Sequence, residues 1–108
     1  MKNVILIGLM GAGKTTVGKR LSQRLGWNFV DTDHLVEQNC GTSVSVIFEV
    51  EGESGFRQRE EKVIEKIMRE EEQIIATGGG APTIESNRNN LKKGYVIYLS
   101  VKPQSLWA

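Results

Sequence analysis

A glycine-rich segment near the amino terminus has the residue types and the spacing of a phosphate-binding loop. Residues 8–15 read G-L-M-G-A-G-K-T and match the pattern G-x-x-x-x-G-K-[ST]. In such a loop the glycines let backbone N–H groups point at phosphate oxygens, and the following helix directs its positive end at the same anion. Lys14 would then reach the β- and γ-phosphates of a nucleoside triphosphate, and the Thr15 hydroxyl would bind Mg²⁺. The alternative is a turn that only joins a strand to a helix.

Two aspartates follow the second apolar run of the chain. Asp31 and Asp33 flank a threonine, and alternate residues of an extended segment point the same way, so both carboxylates could face one pocket. One carboxylate could hold a water on Mg²⁺ while the other meets a substrate hydroxyl, because phosphoryl transfer depends on positioning and charge neutralisation. The alternative is that either aspartate only caps the helix that contains Leu35 and Val36.

Arg57 lies near the start of a long predicted helix, in the sequence F-R-x-x-E. From there its guanidinium could reach back over the rim of the sheet, where its planar set of donors suits the carboxylate of a substrate. The alternative is a solvated arginine that pairs with Glu60 or Glu61 on the helix surface. We expect Arg59 to belong to that charged outer face.

Three consecutive glycines follow the third apolar run. Gly78, Gly79 and Gly80 lower stability because glycine loses much backbone entropy on folding. We therefore expect them to serve a purpose, and the favoured one is the close approach of backbone N–H groups to a ligand. The alternative is a flexible turn. His34 and Cys40 lack the spacing of a metal site or of a nucleophile pair, and no zinc site is predicted.

The apolar patterns predict alternating strands and helices. Strands are expected at residues 4–7, 29–30, 74–76 and 96–99. Helices are expected at residues 14–25, after residue 33 with a stop at 41, around 44–48 with a cap at 42 or 43, at 56–72, at 85–93, and from Pro103. Alternation of this kind favours an α/β fold with a parallel sheet, whose ligands gather at the carboxyl ends of the strands. The three motifs that follow strands should therefore form one site.

The composition of the chain argues against some classes of binding partner, namely nucleic acids and membranes. The 108 residues suit a single domain, and the net charge of +1 gives no general attraction to nucleic acid or to a membrane surface. The longest apolar run is too short to span a bilayer, and it does not read as a signal peptide. Cys40 is the single cysteine, which fits a reducing compartment, so we expect a cytoplasmic protein.

Taken together, the motifs resemble those of shikimate kinase. The similar features, in order, are G-L-M-G-A-G-K-T-T, F-V-D-T-D, G-x-S-V-x-x-I-F-x-x-x-G-E-x-x-F-R-x-x-E, and the glycine run after I-I-A-T. The resemblance implies a three-layer α/β sandwich of the nucleoside-monophosphate-kinase type, with the P-loop strand central. It also implies transfer of the γ-phosphoryl of ATP to the 3-hydroxyl of shikimate, with Mg²⁺, on the route to chorismate and the aromatic amino acids.

The resemblance also implies roles for individual residues. Those expected to bind ATP are Gly11, Ala12, Gly13, Lys14, Thr15 and Thr16. Lys14 and Asp33 are expected to be catalytic, with Asp33 contacting shikimate hydroxyls and acting as the base. Arg57 would hold the carboxylate of shikimate, and the backbone of Gly78, Gly79 and Gly80 would contact the substrate. Thr15 would bind the metal directly, and Asp31 would bind it through water.

The carboxyl-terminal part of the family pattern has no counterpart in these 108 residues. Family members continue into a mobile lid with an ATP-binding arginine, a further substrate arginine, a fifth strand and an adenine-contacting loop. We therefore expect residues 1–108 to be one partial P-loop kinase domain, from a protein that is monomeric when complete. Two alternatives stay open: a gluconate-kinase-like enzyme, which would not need the F-R pair and the glycine run together, and a non-catalytic module that binds nucleotide or shikimate.

Overall fold

The computed structural model describes residues 2–8, 13–78 and 80–99 and gives an α/β fold around one parallel sheet. Its strands are β1 Val4–Gly8, β2 Asn28–Asp31, β3 Gln73–Ala76 and β4 Tyr95–Leu99. Its helices are α1 Lys14–Leu25, α2 Thr32–Cys40, α3 Val44–Ile67 and α4 Glu85–Leu91, with a short 3₁₀ turn at Ala81–Thr83. The predicted fold class is confirmed, and the helix expected from Pro103 lies outside the described residues.

The sheet has the strand order β2-β3-β1-β4, so the P-loop strand β1 is internal. Ile5 pairs with Ile75 on one side and with Val96 on the other. Ile5 and Ile75 are fully buried. This burial explains the unbroken aliphatic runs, because an internal parallel strand is covered on both faces and gains nothing from polar alternation.

Helices cover both faces of the sheet and give it three layers. On one face, α1 approaches so closely that a Cβ built on Gly18 would lie 2.2 Å from the Phe29 ring. On the other face, α3 and α4 pack on the strands through a buried cluster: Ile5, Ile64, Ile67, Ile75, Ala81 and Leu91. The P-loop strand is thereby held rigidly between two apolar layers.

A second buried cluster joins α2 to α3. It consists of Val36, Ile47, Phe56 and Val63. The expected interruption at Gly52 is present, since this residue has φ 75° and ψ −178° inside an otherwise helical segment. The two halves of α3 therefore meet at a break whose backbone conformation only glycine adopts readily.

The boundaries of most elements were predicted to within two residues, with the exception of those in α3. Residues 49–51 and 53–55 are helical, although the prediction left them between two helices, and the helix expected over 56–72 ends at Ile67, five residues early. The side chain of Asn3 explains the difference, because its amide donates to the Glu70 carbonyl at 2.8 Å and accepts from the Gln73 N–H at 3.0 Å. Those two bonds hold residues 68–72 in a turn that enters β3.

Glycines and one serine end and begin the helices as the sequence predicts. Gly26 and Gly41 adopt the left-handed conformation at the carboxyl ends of α1 and α2. Ser43 caps α3 by accepting from the Val46 N–H at 3.3 Å. In the described part of the chain, no helix has both the length and the apolar character needed to cross a bilayer.

Candidate functional site

The carboxyl ends of β2, β3 and β1 lie side by side and bring the three motifs together. Ala76 pairs with Asp31 on one side and with Leu6 on the other. Thr77 continues this alignment by donating its N–H to the Leu6 carbonyl at 3.1 Å. The prediction that the motifs share one rim of the sheet is therefore confirmed.

Lys14 connects the P-loop strand to the glycine run. Its ammonium donates to the Gly8 carbonyl and to the Thr77 carbonyl, each at 2.8 Å. Gly13 precedes it in the left-handed conformation with φ 81° and begins α1. Thr15 and Thr16 follow, exposed, in the first turn of that helix. The predicted binding residues Gly11 and Ala12 lie outside the described residues.

Asp31 and Asp33 do not form the extended pair that the sequence suggested. Only Asp31 is extended, with φ −109° and ψ 120°, and α2 begins at Thr32. Asp31 caps this helix by accepting from the Asp33 N–H at 2.9 Å and the His34 N–H at 3.4 Å. Asp31 therefore caps α2, and the argument from strand alternation is wrong because the helix starts at Thr32, two residues earlier than expected.

Asp33 nevertheless points into the rim from the first turn of α2. A Cβ built on Gly78 would lie 2.8 Å from Asp33 Oδ1, so the carboxylate rests against the glycine backbone. Burial raises the pKa of Asp33, and the nearby Asp31 raises it further, while the cations Lys14 and Arg57 lower it. Its Oδ1 is buried without a hydrogen-bond partner among the described residues. A buried carboxylate oxygen of this kind is suited to accept a hydrogen bond from a ligand.

Arg57 lies against the other end of the glycine run. A Cβ built on Gly80 would lie 2.2 Å from one terminal nitrogen of the guanidinium. The other terminal nitrogen donates to Glu60 Oε1 at 2.9 Å, and Nε lies 3.7 Å from Glu53 Oε1. The Arg57 side chain is 20% exposed and Glu60 is fully buried, so the pair is not the solvated surface pair of the alternative interpretation.

Glu60 is a site residue that the sequence reasoning treated only as a surface partner. Burial raises the pKa of Glu60, and the hydrogen bond from Arg57 opposes that rise. Its Oε2 is buried without a partner among the described residues. The available signal was spacing, because Phe56, Glu60, Val63 and Ile67 recur at intervals of three and four and place the glutamate on the buried face.

The glycine run is needed where it approaches two charged side chains. At Gly78 and Gly80 the space of a Cβ is taken by the Asp33 carboxylate and the Arg57 guanidinium respectively. This occupancy argues against a merely flexible turn. The central glycine, Gly79, lies outside the described residues.

Comparison with known proteins identifies relatives along almost the whole chain. The sequence model of the family described as shikimate kinase matches residues 10–108. Shikimate kinases from Symbiobacterium thermophilum and Burkholderia thailandensis are each 50% identical over 106 residues. These alignments cover 97% of this chain but 61% and 58% of the two relatives, so the chain spans about three fifths of their length.

Solved structures give the same relationship. A shikimate kinase from Acinetobacter baumannii in complex with shikimate superposes with a TM-score of 0.92 at 45% identity, over 97% of this chain and 59% of that one. A gluconokinase from Sinorhizobium meliloti superposes with a TM-score of 0.58 at 15% identity, over 97% of this chain and 61% of that one, which is a likeness of fold alone.

Proposed function

We propose, because the chain belongs to the shikimate kinase family, that it provides the phosphate-binding and shikimate-binding parts of an enzyme that phosphorylates the 3-hydroxyl of shikimate from ATP. The observation that carries this proposal is the meeting of Asp33 and Arg57 on one glycine run, beside Lys14. A carboxylate for a hydroxyl, a guanidinium for a carboxylate and an ammonium for phosphates are the three groups that the two substrates require.

Lys14 is the group proposed to bind the transferred phosphate. Its ammonium now donates to two neutral carbonyls. Phosphate oxygens carry negative charge and form stronger hydrogen bonds with an ammonium than carbonyl oxygens do. A nucleotide in the loop of residues 11–16 would therefore draw Lys14 from these carbonyls, with Gly13, Thr15 and Thr16 beside it at the start of α1.

Thr15 and Asp31 are the residues proposed to hold Mg²⁺, directly and through water. Hydroxyl and carboxylate oxygens suit this cation, which usually keeps several waters and binds one or two protein groups together with substrate phosphates. One oxygen of Asp31 is engaged in capping α2, which fits contact through water. Bound with ATP, the ion would neutralise charge on the phosphates.

Asp33 and Arg57 are proposed to bind and orient shikimate. The raised pKa of Asp33, caused first by burial, brings the carboxylate closer to the range in which it can accept a proton from the 3-hydroxyl. Arg57 would bind the carboxylate with the donors that Glu60 leaves free. The backbone of Gly78, Gly79 and Gly80 would contact the hydroxylated ring of shikimate, between Asp33 and Arg57.

The two alternative functions have less support. The likeness to gluconokinase is one of fold at 15% identity, against about 50% for relatives named shikimate kinase. A binding module without catalysis has less support, because it needs neither a metal site at Thr15 and Asp31 nor a base at Asp33. We further propose a cytosolic location, where ATP is available and the free thiol of Cys40 stays reduced.

The proposal is tested by calorimetric titration of the purified chain with shikimate, with gluconate and with ATP–Mg²⁺, beside an assay of ADP release. We expect shikimate to bind more tightly than gluconate. Arg57→Ala should weaken shikimate binding by roughly 1.5–3 kcal/mol, as for a lost charge-assisted hydrogen bond. Arg69→Ala is the matched control, because Arg69 is an exposed arginine later on the same chain that pairs with Glu65. Equal binding of gluconate and shikimate would refute the substrate assignment.

A further inference from the structure

The break in α3 separates two halves with different supports. The second half is anchored in the main core by Ile64 and Ile67. The first half, from Val44 to Glu51, contacts the rest of the molecule through Val44 and Ile47 at the α2–α3 cluster, through the Val44 N–H that donates to Glu37 Oε2 at 2.8 Å, and through Phe48. The angle at Gly52 sets how the first half lies relative to the second.

An ion pair spans this break. Arg59 Nε donates to Glu51 Oε1 and Arg59 Nη2 donates to Glu51 Oε2, both at 2.8 Å. In an uninterrupted helix, residues eight apart are separated by a rise of about 12 Å. The parallel two-bond contact therefore depends on the turn of the chain at Gly52, and it in turn opposes straightening of the helix there.

Gly55 provides the space for this contact. A Cβ built on Gly55 would lie 2.4 Å from the Cβ of Glu51, so any larger residue would push Glu51 away from Arg59. The hydrogen bonds from Arg59 also lower the pKa of Glu51, as expected for a carboxylate that accepts from a guanidinium. One glycine thus permits the angle and a second permits the close approach.

A second ion pair, between Glu65 on α3 and Arg69 just beyond its end, shows what an ordinary surface pair looks like in this chain. Arg69 donates a single bond of 3.2 Å to Glu65, and the two side chains are 74% and 60% exposed. The Arg59 and Glu51 side chains are 39% and 35% exposed and share two short bonds. Bidentate geometry of this kind distinguishes pairs that fix an orientation from pairs that contribute little.

We propose that Glu51 and Arg59 are positioning residues that clamp the two halves of α3 across Gly52 and thereby hold Arg57 in place for the carboxylate of the substrate. The first half of α3 is connected to Arg57 through two aromatic rings. Phe48, on the first half, stacks on Phe56 with centroids 4.8 Å apart, and the Arg57 guanidinium lies 5.2 Å from the Phe56 ring. The role assigned to Arg57 rests on the proposed function, whereas the clamp itself does not.

The clamp is tested first without substrate, by hydrogen–deuterium exchange of the 108-residue chain. Arg59→Ala should speed amide exchange in residues 44–51 by about two- to fivefold, as expected for one exposed ion pair. Exchange in β1 and β3 should not change. Arg69→Ala should leave residues 44–51 at the wild-type rate, because its pair with Glu65 lies wholly on one side of the break.

The positioning role is tested by calorimetric titration. Arg59→Ala should weaken shikimate binding by about two- to fivefold and leave ATP–Mg²⁺ binding unchanged, since the clamp acts on one substrate only. Arg59→Lys, which keeps the charge and loses the second bond, should fall between. The exchanged pair Glu51→Arg with Arg59→Glu should restore binding toward wild type if the contact, rather than either residue, is what matters.

Each outcome has a separate meaning. Wild-type exchange rates at residues 44–51 in Arg59→Ala would refute the clamp. Faster exchange with unchanged shikimate affinity would refute the positioning role and leave the proposed function intact. Equal weakening of shikimate and ATP–Mg²⁺ binding would show a general loss of structure and would also refute the role. Failure of the wild-type chain to bind shikimate would overturn the proposed function, and the positioning role with it.

Discussion

Gly80→Ala places a methyl group where the Arg57 guanidinium now lies. The new Cβ would be 2.2 Å from one terminal nitrogen and 2.6 Å from Cζ. Ordinary contacts are about 3.5 Å, so the guanidinium must retreat by about 1.3 Å. The backbone is not the obstacle, because Gly80 has φ −91° and ψ −7°, which alanine tolerates. The collision is therefore relieved by movement of the arginine.

That movement is costly because Arg57 is also bonded to Glu60. Their contact of 2.9 Å would lengthen beyond hydrogen-bonding range if the guanidinium moved away by the full amount. Loss of a charge-assisted hydrogen bond costs about 1.5–3 kcal/mol. Replacing glycine by alanine stabilises the fold by about 0.4–1 kcal/mol, because it reduces the conformational entropy of the unfolded chain. The net loss in the free energy of unfolding should be about 0.5–2.6 kcal/mol.

A double-mutant cycle separates this explanation from a general effect of the methyl group. Urea denaturation, followed by circular dichroism, would be measured for the wild type, Gly80→Ala, Arg57→Ala and the double variant. Without the guanidinium there is nothing to displace, so Gly80→Ala should be neutral or stabilising by up to about 1 kcal/mol in the Arg57→Ala background. An equal loss in both backgrounds would refute the reasoning.

Three further predictions concern Lys14, Asp33 and strand β4. Lys14→Ala should weaken ATP–Mg²⁺ binding by about 1.5–3 kcal/mol in calorimetry, with exposed Lys19→Ala unchanged as the control. Because burial raises the folded-state pKa of Asp33, the ionised residue costs stability above that pKa, and the cost disappears as the pH falls toward 3.8, the ordinary pKa of an aspartate. Asp33→Asn should therefore raise the Tm at pH 7 and lose this advantage near pH 4. Strand β4 pairs with one neighbour in the described sheet and exposes Ile97, so we expect its open edge to promote self-association. Ile97→Lys should reduce that association in sedimentation velocity, and unchanged association would contradict this role for the strand.

The parts of the fold that the sequence predicts are those fixed by local chemistry. The strand that begins at Val4 and the stop at Gly26 follow from aliphatic runs and from the conformational freedom of glycine. The end of α3 could not be predicted in this way. It depends on hydrogen bonds from Asn3, which is 67 residues away from Glu70 in sequence.

The candidate site, like the fold, was predicted correctly where a general rule applies and missed where tertiary packing decides. Its location followed from the rule that parallel strands present their carboxyl ends to ligands, which needs only the order of the elements. The helical conformation of Asp33 was missed, because a cap at Asp31 and an extended pair have the same sequence signature. The burial of Glu60 was missed because a charged residue on a helix is usually exposed, and that expectation outweighed the spacing that places Glu60 on the apolar face.

Lys14 and Arg57 are held in different ways, and the difference agrees with their proposed substrates. The partners of Lys14 are neutral carbonyls that a phosphate oxygen can replace, so its ammonium is held in place but remains displaceable. Arg57 is bound to the fully buried carboxylate of Glu60, a partner that would be expensive to leave unpaired. In the proposed site, Arg57 would therefore bind an anion with its remaining donors while its orientation is kept. A displaceable ammonium suits a phosphoryl group that changes position during transfer, and a fixed guanidinium suits a carboxylate that stays in place.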